Sequence, residues 1–412
     1  MSMPAPESAT PAHHPRLPGL TRNVVALGFV SLLTDVSTEM IIPVLPLFVT
    51  TTLGAGVLSV GLIEGVAEST ASLLRLASGW LSDRIGERKP FLVFGYGISG
   101  LAKASIALSR SWPVVLLLRF SDRIGKGLRN PPRDALIADS VEPRYLGRAF
   151  GFHRALDTCG AAIGPFVAYA LLRGAPKDYT RVFGWSALPA ALSILVLIVF
   201  VRAARVTPRH RARGLFAEAR DMGPAFHKFL IVAGLFSLGS SSMAFMLLLA
   251  ERAGFAPVQV PLVYLAYNLV YALLSWPIGE LSDRIGRRPT LFAAYLAFAL
   301  IYGALAWHAG RGFVFAGFVL LGVHSALLEV SQRSMLGELV GEGRRGTAYG
   351  FYYTVVGVAL LPASIVAGEL WQRFGPSAML ATDAALALAA AIAFALLLPP
   401  HRGGRRADAG AA

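Results

Sequence analysis

The chain has 412 residues, of which 55% are hydrophobic and 15% are charged, and its net charge at pH 7 is +14. A soluble domain carries about 25% charged residues, so this composition argues against a soluble globular enzyme and against a disordered chain. The single cysteine, Cys159, excludes a disulfide framework and any cysteine-based zinc or iron–sulfur site.

Twelve segments are each long and apolar enough to cross a bilayer, since a membrane helix needs about 20 mostly apolar residues. These spans are predicted at 24–50, 57–81, 90–109, 113–136, 148–172, 183–202, 229–250, 258–281, 289–309, 312–335, 346–370 and 376–399. The polar tails 1–20 and 401–412 are expected to be disordered. The basic stretch 203–228 is predicted to be a cytoplasmic linker, with a short amphipathic helix around 215–219.

The first two spans carry acidic residues at positions where a charge is costly. Asp35 and Glu39 are four residues apart, on one face of the first span, and Asp35 lies near its middle. Removal from water favours the uncharged carboxyl group, which a proton carrier near neutral pH requires; a carboxylate permanently paired with a basic residue is the alternative. Glu68 and Arg75 share a stripe of the second span, and Glu64 lies closer to the periplasmic mouth, where a solvated charge is expected.

The third and fourth spans add basic residues. Lys103 has no local partner in the sequence, so it could extend to the membrane interface or reach an acid of the first two spans. Arg119, Asp122 and Arg123 lie deep in the fourth span, and an acid of the first span could pair with either arginine. A pair that forms and breaks would couple proton binding to transport. The Asn-Pro-Pro run 130–132 is expected to bend or break the end of this span.

The fifth span contains a glycine pattern. Gly151 is followed after eight residues by Gly160, and after three more by Gly164 and Pro165. Gly160 and Gly164 lie on one helix face and permit tight packing, and Pro165 is expected to bend the helix. An ordinary small-residue packing face is the alternative to a functional signature.

His153 and Asp157 lie four residues apart in the same span. Histidine is the side chain that titrates nearest physiological pH, so this pair is either a proton relay or a structural hydrogen bond. In the tenth span, Glu329 and Arg333 could neutralise each other, and the second half has few other buried charges. Aromatic residues that could line a substrate cavity there are Tyr264, Tyr267, Tyr271, Trp276, Tyr352 and Tyr353.

A repeat relates the two parts of the chain. Residues 79–89 (GWLSDRIGERK) recur at 279–289 (GELSDRIGRRP), an offset of 200, and residues 147–152 align with 346–351 at an offset of 199. Two matches at nearly equal offsets predict two homologous halves, and a transporter built in this way binds its substrate between them.

The predicted halves are six-helix bundles at 21–202 and 229–400. Loops on the side of the termini contain 22 lysines and arginines, and the loops on the other side contain 7. The positive-inside rule therefore places both termini in the cytoplasm. Because this topology accounts for most of the basic excess, a nucleic-acid partner is not expected.

The repeated loops resemble the cytoplasmic loop signature of the major facilitator superfamily. The resemblance implies an all-α membrane protein with twelve transmembrane helices in two pseudo-symmetric bundles, and loops that act as a latch on one conformation. The implied latch residues are Gly79, Asp83, Arg84, Gly86, Arg88, Gly279, Asp283, Arg284, Gly286 and Arg288.

Two further patterns resemble the drug/proton exporters of that superfamily. The run from Gly151 to Pro165 is similar to their antiporter signature, although Ala168 and Tyr169 stand where that pattern continues with glycines. Arg119 with Asp122 resembles an arginine motif linked to proton transfer in that family, from which Arg123 departs.

These features predict a proton-coupled antiporter that exports a small organic molecule or drug. It is expected to be a monomer in the bacterial cytoplasmic membrane, in contact with the lipid bilayer and without a cofactor. Proton-coupled uptake of an organic, possibly anionic, solute is the alternative, and sodium could use the same carboxylates. The sequence lacks HExxH, a strand–turn–helix GxSxG and GxxxxGK[ST] motifs, which argues against a membrane enzyme and an ATP-driven pump.

Overall fold

The computed structural model describes residues 19–203, 221–340 and 345–398, without the side chains of Leu76, Asp83 and Arg345. All regular secondary structure in these ranges is helical, which confirms the all-α prediction. The predicted tails lie almost entirely outside the described residues, and the predicted linker helix lies wholly outside them.

The first half consists of six long helices. They are α1 (Arg22–Ile41), α2 (Val57–Ile85), α3 (Lys89–Ile106), α4 (Trp112–Asp139), α5 (Leu146–Gly174) and α6 (Tyr179–Phe200). A turn at Leu45–Leu47 and a π-helical turn at Phe48–Thr52 continue α1. Side-chain caps begin two of these helices, because the oxygens of Thr21 and Asp178 accept backbone N–H groups that would otherwise lack a partner.

The second half repeats this order. Its helices are α7 (Pro224–Leu238), α8 (Met243–Arg252), α9 (Val260–Ile285), α10 (Arg287–Trp307), α11 (Arg311–Leu339), α12 (Arg345–Phe374) and α13 (Pro376–Leu397). Helices α7 and α8 are separated by a break at residues 239–242, which corresponds to the interruption after α1. Each half therefore starts with a broken helix.

Ten segments of the described residues are long and apolar enough to cross a membrane. The two predicted spans outside this set are α3 and α4. The charged side chains of α4 make it too polar to span a bilayer alone, and they are accommodated by packing against α2 and α3. The number of twelve crossings and the cytoplasmic position of the termini stay predictions.

The proline run in α4 does not break the helix, contrary to expectation. Pro131 and Pro132 lie inside a continuous helix that reaches Asp139, beyond the predicted end at residue 136. Pro131 faces α2, where an added Cβ on Gly79 would lie 3.3 Å from its Cβ. We attribute the continuity to this packing, which keeps the last turns in place despite the missing backbone donors.

Two helix pairs make the most extensive contacts between the halves: α2 packs against α12, and α5 packs against α9. Helix α8 also contacts α2 and the turn at Leu45–Leu47. The turns at Gly86 and Gly286, where φ is +75° and +98°, lie at one end of the bundle, which we name the basic end. These left-handed conformations favour glycine. The other end, which holds the α1–α2 and α12–α13 turns, is named the opposite end.

The closest approaches between α2 and α12 are made by small residues and backbone. Ser69 Oγ donates a 2.5 Å hydrogen bond to the carbonyl of Gly357. A Cβ added to Gly65 would lie 3.2 Å from the carbonyl oxygen of Leu361. This contact extends from the opposite end to the middle of the bundle, so the halves are closed together there.

Candidate functional site

The predicted acids of α1 lie where α1 and α5 approach each other most closely. An added Cβ on Gly160 would lie 2.6 Å from the carbonyl oxygen of Leu32 and 2.9 Å from Cβ of Asp35. An added Cβ on Gly164 would lie 2.6 Å from Cβ of Glu39. These two glycines of the antiporter-like run therefore bring the backbone of α5 against both acids.

The other members of that run behave differently. An added Cβ on Gly151 would meet nothing within 4 Å, so this glycine is not a packing residue in this conformation. Pro165 is buried inside a helix that continues to Gly174.

Asp35 forms a hydrogen bond with Asp157 of α5. Asp157 also accepts a 2.8 Å hydrogen bond from Ser31 Oγ and lies 3.2 Å from Arg154 NH1. Two carboxyl groups can share a hydrogen bond only when one of them carries a proton. The arrangement is therefore chemically able to hold and release a proton.

The predicted relay between His153 and Asp157 is not formed through Nε2 of the histidine. His153 is buried, and within the described ranges its Nε2 atom makes no hydrogen bond. Asp157 is instead turned toward α1, where Ser31 and Asp35 lie.

Arg154 connects this pair of carboxyl groups to the second half. Its NH2 atom donates a 2.5 Å hydrogen bond to Tyr271 Oη and lies 3.5 Å from Oε2 of Glu329. Glu329 also accepts a hydrogen bond from Tyr271 and lies 2.6 Å from Arg333 NH2. A continuous polar chain therefore extends from α1 through α5 to α9 and α11.

Glu39 has a cross-half contact of its own. It is within hydrogen-bonding distance of Tyr264 and lies 3.4 Å from Nδ2 of Asn268, both on α9. Asn268 Nδ2 also donates a 3.0 Å hydrogen bond to the carbonyl of Ala161 on α5. Both acids of α1 are thus linked to the contact between α5 and α9.

The buried arginines of α4 pair with α2, not with the first span as predicted. Arg119, which is 1% exposed, lies 2.9 Å from Glu64 and 3.2 Å from Asp122. Arg123 lies 3.3 Å from Glu68. Glu64 and Glu68 are four residues apart on α2, as are Arg119 and Arg123 on α4, so each acid meets one arginine. The acids of α1 contact α5 instead. Glu64, expected to be solvated, is therefore the partly buried partner of a buried arginine.

The remaining predicted cations also have defined contacts. Lys103 is buried and its Nζ donates a 3.1 Å hydrogen bond to Thr38 Oγ1 of α1, so it does not extend to the interface, and it forms no ion pair with an acid of the described residues. The guanidinium of Arg75 lies 5.1 Å from the ring centre of Tyr353 on α12, a cation–π contact between the halves.

A cavity of 340 Å³ lies next to this polar chain, between the middle of the bundle and the basic end. It is lined by Tyr267, Tyr271, Ser325, Leu328, Glu329, Gln332, Arg333, Tyr352 and Tyr353. The rings of Tyr264, Tyr267 and Tyr271 are stacked along α9. The cavity therefore offers aromatic faces together with one acidic and one basic group.

The repeated loops make matching ion pairs at the basic end. Arg88 Nε lies 3.5 Å from Asp139, and Arg287 pairs with Glu338. In the second half the ion pair is made by Arg287. The repeat aligns Arg88 with Arg288 instead, and the guanidinium of Arg288 lies over the ring of Phe394.

The other predicted latch residues are also at this end. Arg84 stacks on Trp80, Asp283 lies 3.9 Å from Arg287, and the side chain of Asp83 is outside the described part of the chain. Arg284 is exposed, and Gly279 is not in tight contact.

Sequence reasoning missed several residues of this site. Ser31, Thr38 and Asn268 are uncharged, so no charge pattern marks them, and their partners are on other helices. Asp383 of α13 was also missed, although a single acid in an apolar helix is itself a detectable signal.

Comparisons with known proteins agree with this architecture. The sequence model of the Major Facilitator Superfamily matches residues 27–247 and 229–412. An uncharacterized MFS-type transporter, MJ1317 of Methanocaldococcus jannaschii, is 33% identical, with 86% of this chain and 89% of that protein covered.

More distant relatives carry functional names. A probable 4-methylmuconolactone transporter of Cupriavidus pinatubonensis is 28% identical, with 82% of each chain covered. Multidrug resistance protein MdtH of Aeromonas hydrophila is 25% identical, over 79% of this chain and 81% of the relative.

Among solved structures, a mutant form of the nucleoside transporter NupG has the same fold. Its TM-score is 0.78 at 14% sequence identity, with 91% of this chain and 99% of that chain covered.

Proposed function

Because this chain belongs to the Major Facilitator Superfamily and is a membrane transporter of that type, we propose that it exports a small organic molecule in exchange for protons. Transport would proceed by alternating access between the two halves. Such transporters bind their substrates between the halves, near the middle of the membrane. The tyrosine-lined cavity supports this proposal, because its second-half residues Tyr271 and Glu329 contact Arg154 of the first half.

The observation that carries this proposal is the polar chain from Asp35 to Glu329. Asp157 holds Arg154 by an ion pair, and Arg154 in turn contacts Tyr271 and Glu329 of the second half. A proton taken up by Asp157 would remove the negative charge that holds Arg154 in place. Protonation would thus change the contact between α5 and α9, which is what coupling requires.

The conformation is compatible with loading of an exported substrate. The halves are in contact from the opposite end to the middle, and the cavity lies toward the basic end. If the basic end is cytoplasmic, as the loop charges predict, this state receives its substrate from the cytoplasm. The similarity to a relative named as a multidrug resistance protein supports export.

Proton-coupled uptake of an organic anion is the second candidate. Arg154 is half-exposed and Arg333 more so, and both lie beside the cavity, where they could bind a carboxylate. The relative named as a probable 4-methylmuconolactone transporter favours this alternative.

Everted vesicles with a preformed proton gradient distinguish the two candidates. A pH-sensitive dye follows the gradient while a panel of organic cations, neutral compounds and aromatic carboxylates is added. A substrate exchanged for protons collapses the gradient when it is added outside, because it enters as protons leave. A substrate co-transported with protons collapses the gradient only when it is loaded inside the vesicle, because both then leave together. We expect collapse with at least one compound, and loss of this response in Asp35→Asn.

The matched control is Asp178→Asn. It removes one carboxylate from an exposed loop and keeps the N-cap oxygen, so its response should equal that of the wild type. Full proton exchange by Asp35→Asn would contradict the coupling role of Asp35.

A further inference from the structure

One buried carboxylate lies far from the polar chain described above. Asp383 is the only charged residue of α13, and it is 4% exposed. A charge inside a membrane helix is costly and usually marks a functional position. Helix α6, which takes the place of α13 in the first half, contains no acidic residue, so the fold itself does not require one.

Asp383 faces the break between α7 and α8. The backbone N–H and the hydroxyl group of Ser241 lie close to its carboxylate, and Ser241 also lies close to the hydroxyl of Tyr302. The same Ser241 hydroxyl is 3.9 Å from Sδ of Met379. An added Cβ on Gly239 would lie 3.0 Å from the carbonyl oxygen of Asp383. The break and α13 are therefore in direct contact, with oxygen atoms concentrated between them.

The carboxylate is not neutralised by the side chains around it. Its Oδ2 atom is buried and meets no hydrogen-bond donor among the described residues, and no basic side chain in those ranges pairs with it. An unpaired buried charge is costly, so this group must either carry a proton or bind a cation.

The oxygen atoms around the carboxylate indicate which kind of cation would bind there. The hydroxyls of Ser241 and Tyr302 could bind a cation through oxygen. Of the last four carbonyls of α7, those of Phe236 and Ser237 accept the N–H groups of Gly239 and Ser240, so the helix-end carbonyls that could bind a cation are those of Leu235 and Leu238. Oxygen ligands suit hard cations, and the carbonyls of a broken membrane helix are suited to a sodium ion. A single carboxylate balances a monovalent ion.

We propose that Asp383, Ser241 and the break between α7 and α8 form a sodium-binding site in the second half. This site goes beyond the proposed proton exchange and is separate from Asp35 and Asp157. A bound sodium ion would fix α7, α8 and α13 relative to one another and would stabilise the second half.

Thermal unfolding of the purified full-length protein tests the proposal. Its six tryptophans report unfolding by intrinsic fluorescence. NaCl replaces choline chloride at constant ionic strength and pH. We expect a saturable rise in the unfolding midpoint of roughly 3 °C or more, because a ligand that binds only the folded state stabilises it.

Four variants locate the effect. Asp383→Asn should lose the sodium dependence, and Ser241→Ala should need a several-fold higher sodium concentration for the same shift. Asp178→Asn and Asp35→Asn should keep the shift. The last variant separates the two proposals, since a failure of proton coupling leaves the sodium response of Asp35→Asn unchanged.

An equal midpoint of the wild type in sodium and choline overturns the proposal, whether or not Asp383→Asn folds. A midpoint that responds to pH but not to sodium also overturns it and identifies Asp383 as a buried carboxylic acid. Loss of the sodium shift in Asp35→Asn but not in Asp383→Asn would assign the ion to α1 instead.

Discussion

The contact between α1 and α5 is the most direct place to test the proton-coupling proposal. Gly160→Ala adds one methyl group at a position 2.6 Å from the carbonyl oxygen of Leu32 and 2.9 Å from Cβ of Asp35. An ordinary contact needs at least 3.4 Å, so the two helices must separate. Overpacking of this kind costs about 1–3 kcal/mol.

The separation should also lengthen the hydrogen bond between Asp35 and Asp157. If the same energy is lost from the coupled step, proton-coupled transport falls by roughly 5- to 150-fold. Transport is measured in everted vesicles with the pH dye, and stability as the thermal unfolding midpoint in detergent.

Gly151→Ala is the matched control on the same helix. An added Cβ there meets nothing within 4 Å, and alanine favours a helix over glycine by about 1 kcal/mol. This variant should be as stable as the wild type or more stable, with normal transport. Equal stability and equal transport of Gly160→Ala and Gly151→Ala would refute the reasoning.

Three further predictions concern other contacts. Arg119→Leu removes the ion-pair partner of Glu64 and leaves Asp122 with Arg123 alone, which should cost about 3–5 kcal/mol and lower the unfolding midpoint. Restoration of the midpoint by Glu64→Gln in the same chain would support the pairing, and an unchanged midpoint of the single variant would contradict it. Tyr271→Phe removes the hydroxyl between Arg154 and Glu329, so transport should slow while the unfolding midpoint stays near that of the wild type; unaltered transport would exclude a role for this contact. Asp178 caps α6, and hydrogen bonds from the Thr180 hydroxyl and the Arg181 N–H lower the pKa of its carboxyl group. Its stabilising effect is therefore complete above the ordinary carboxyl pKa of about 3.9 and is lost as the pH falls through the lowered value, so the difference in midpoint between wild type and Asp178→Ala should shrink in acid.

The helices and the repeat could be predicted from the sequence, because the length of an apolar segment and the spacing of a motif are local properties. It also marked Asp35 and Asp157 as candidate functional residues, since charges in membrane helices are few. The partners of Arg119 could not be predicted, because the vertical register between α2 and α4 depends on tertiary packing. The continuity of α4 through Pro131 has the same origin, since contact with α2 overrides the local tendency of proline to end a helix.

At the basic end, the repeat predicted the arginine of the second ion pair to within one residue. Sequence alignment matched Arg88 with Arg288, whereas the ion pair of the second half is made by Arg287. Gly286 has an extended ψ of 147°, whereas Gly86 has a ψ of 10°. The two turns therefore leave their helices differently, and the arginine that faces the acid changes by one position.

The small-residue contact between α2 and α12 has an energetic consequence for movement of the halves. A pair of large apolar side chains in such a contact would contribute about 1.5–3 kcal/mol for each buried group. Glycine and serine bury little apolar area, so separation of the two helices exposes few groups that resist it. Alternating access needs two arrangements whose free energies differ by only a few kcal/mol. A close but weakly apolar contact, held by hydrogen bonds such as that from Ser69 to Gly357, would keep the free-energy difference between the closed and open arrangements small, as the proposed alternating access and proton coupling require.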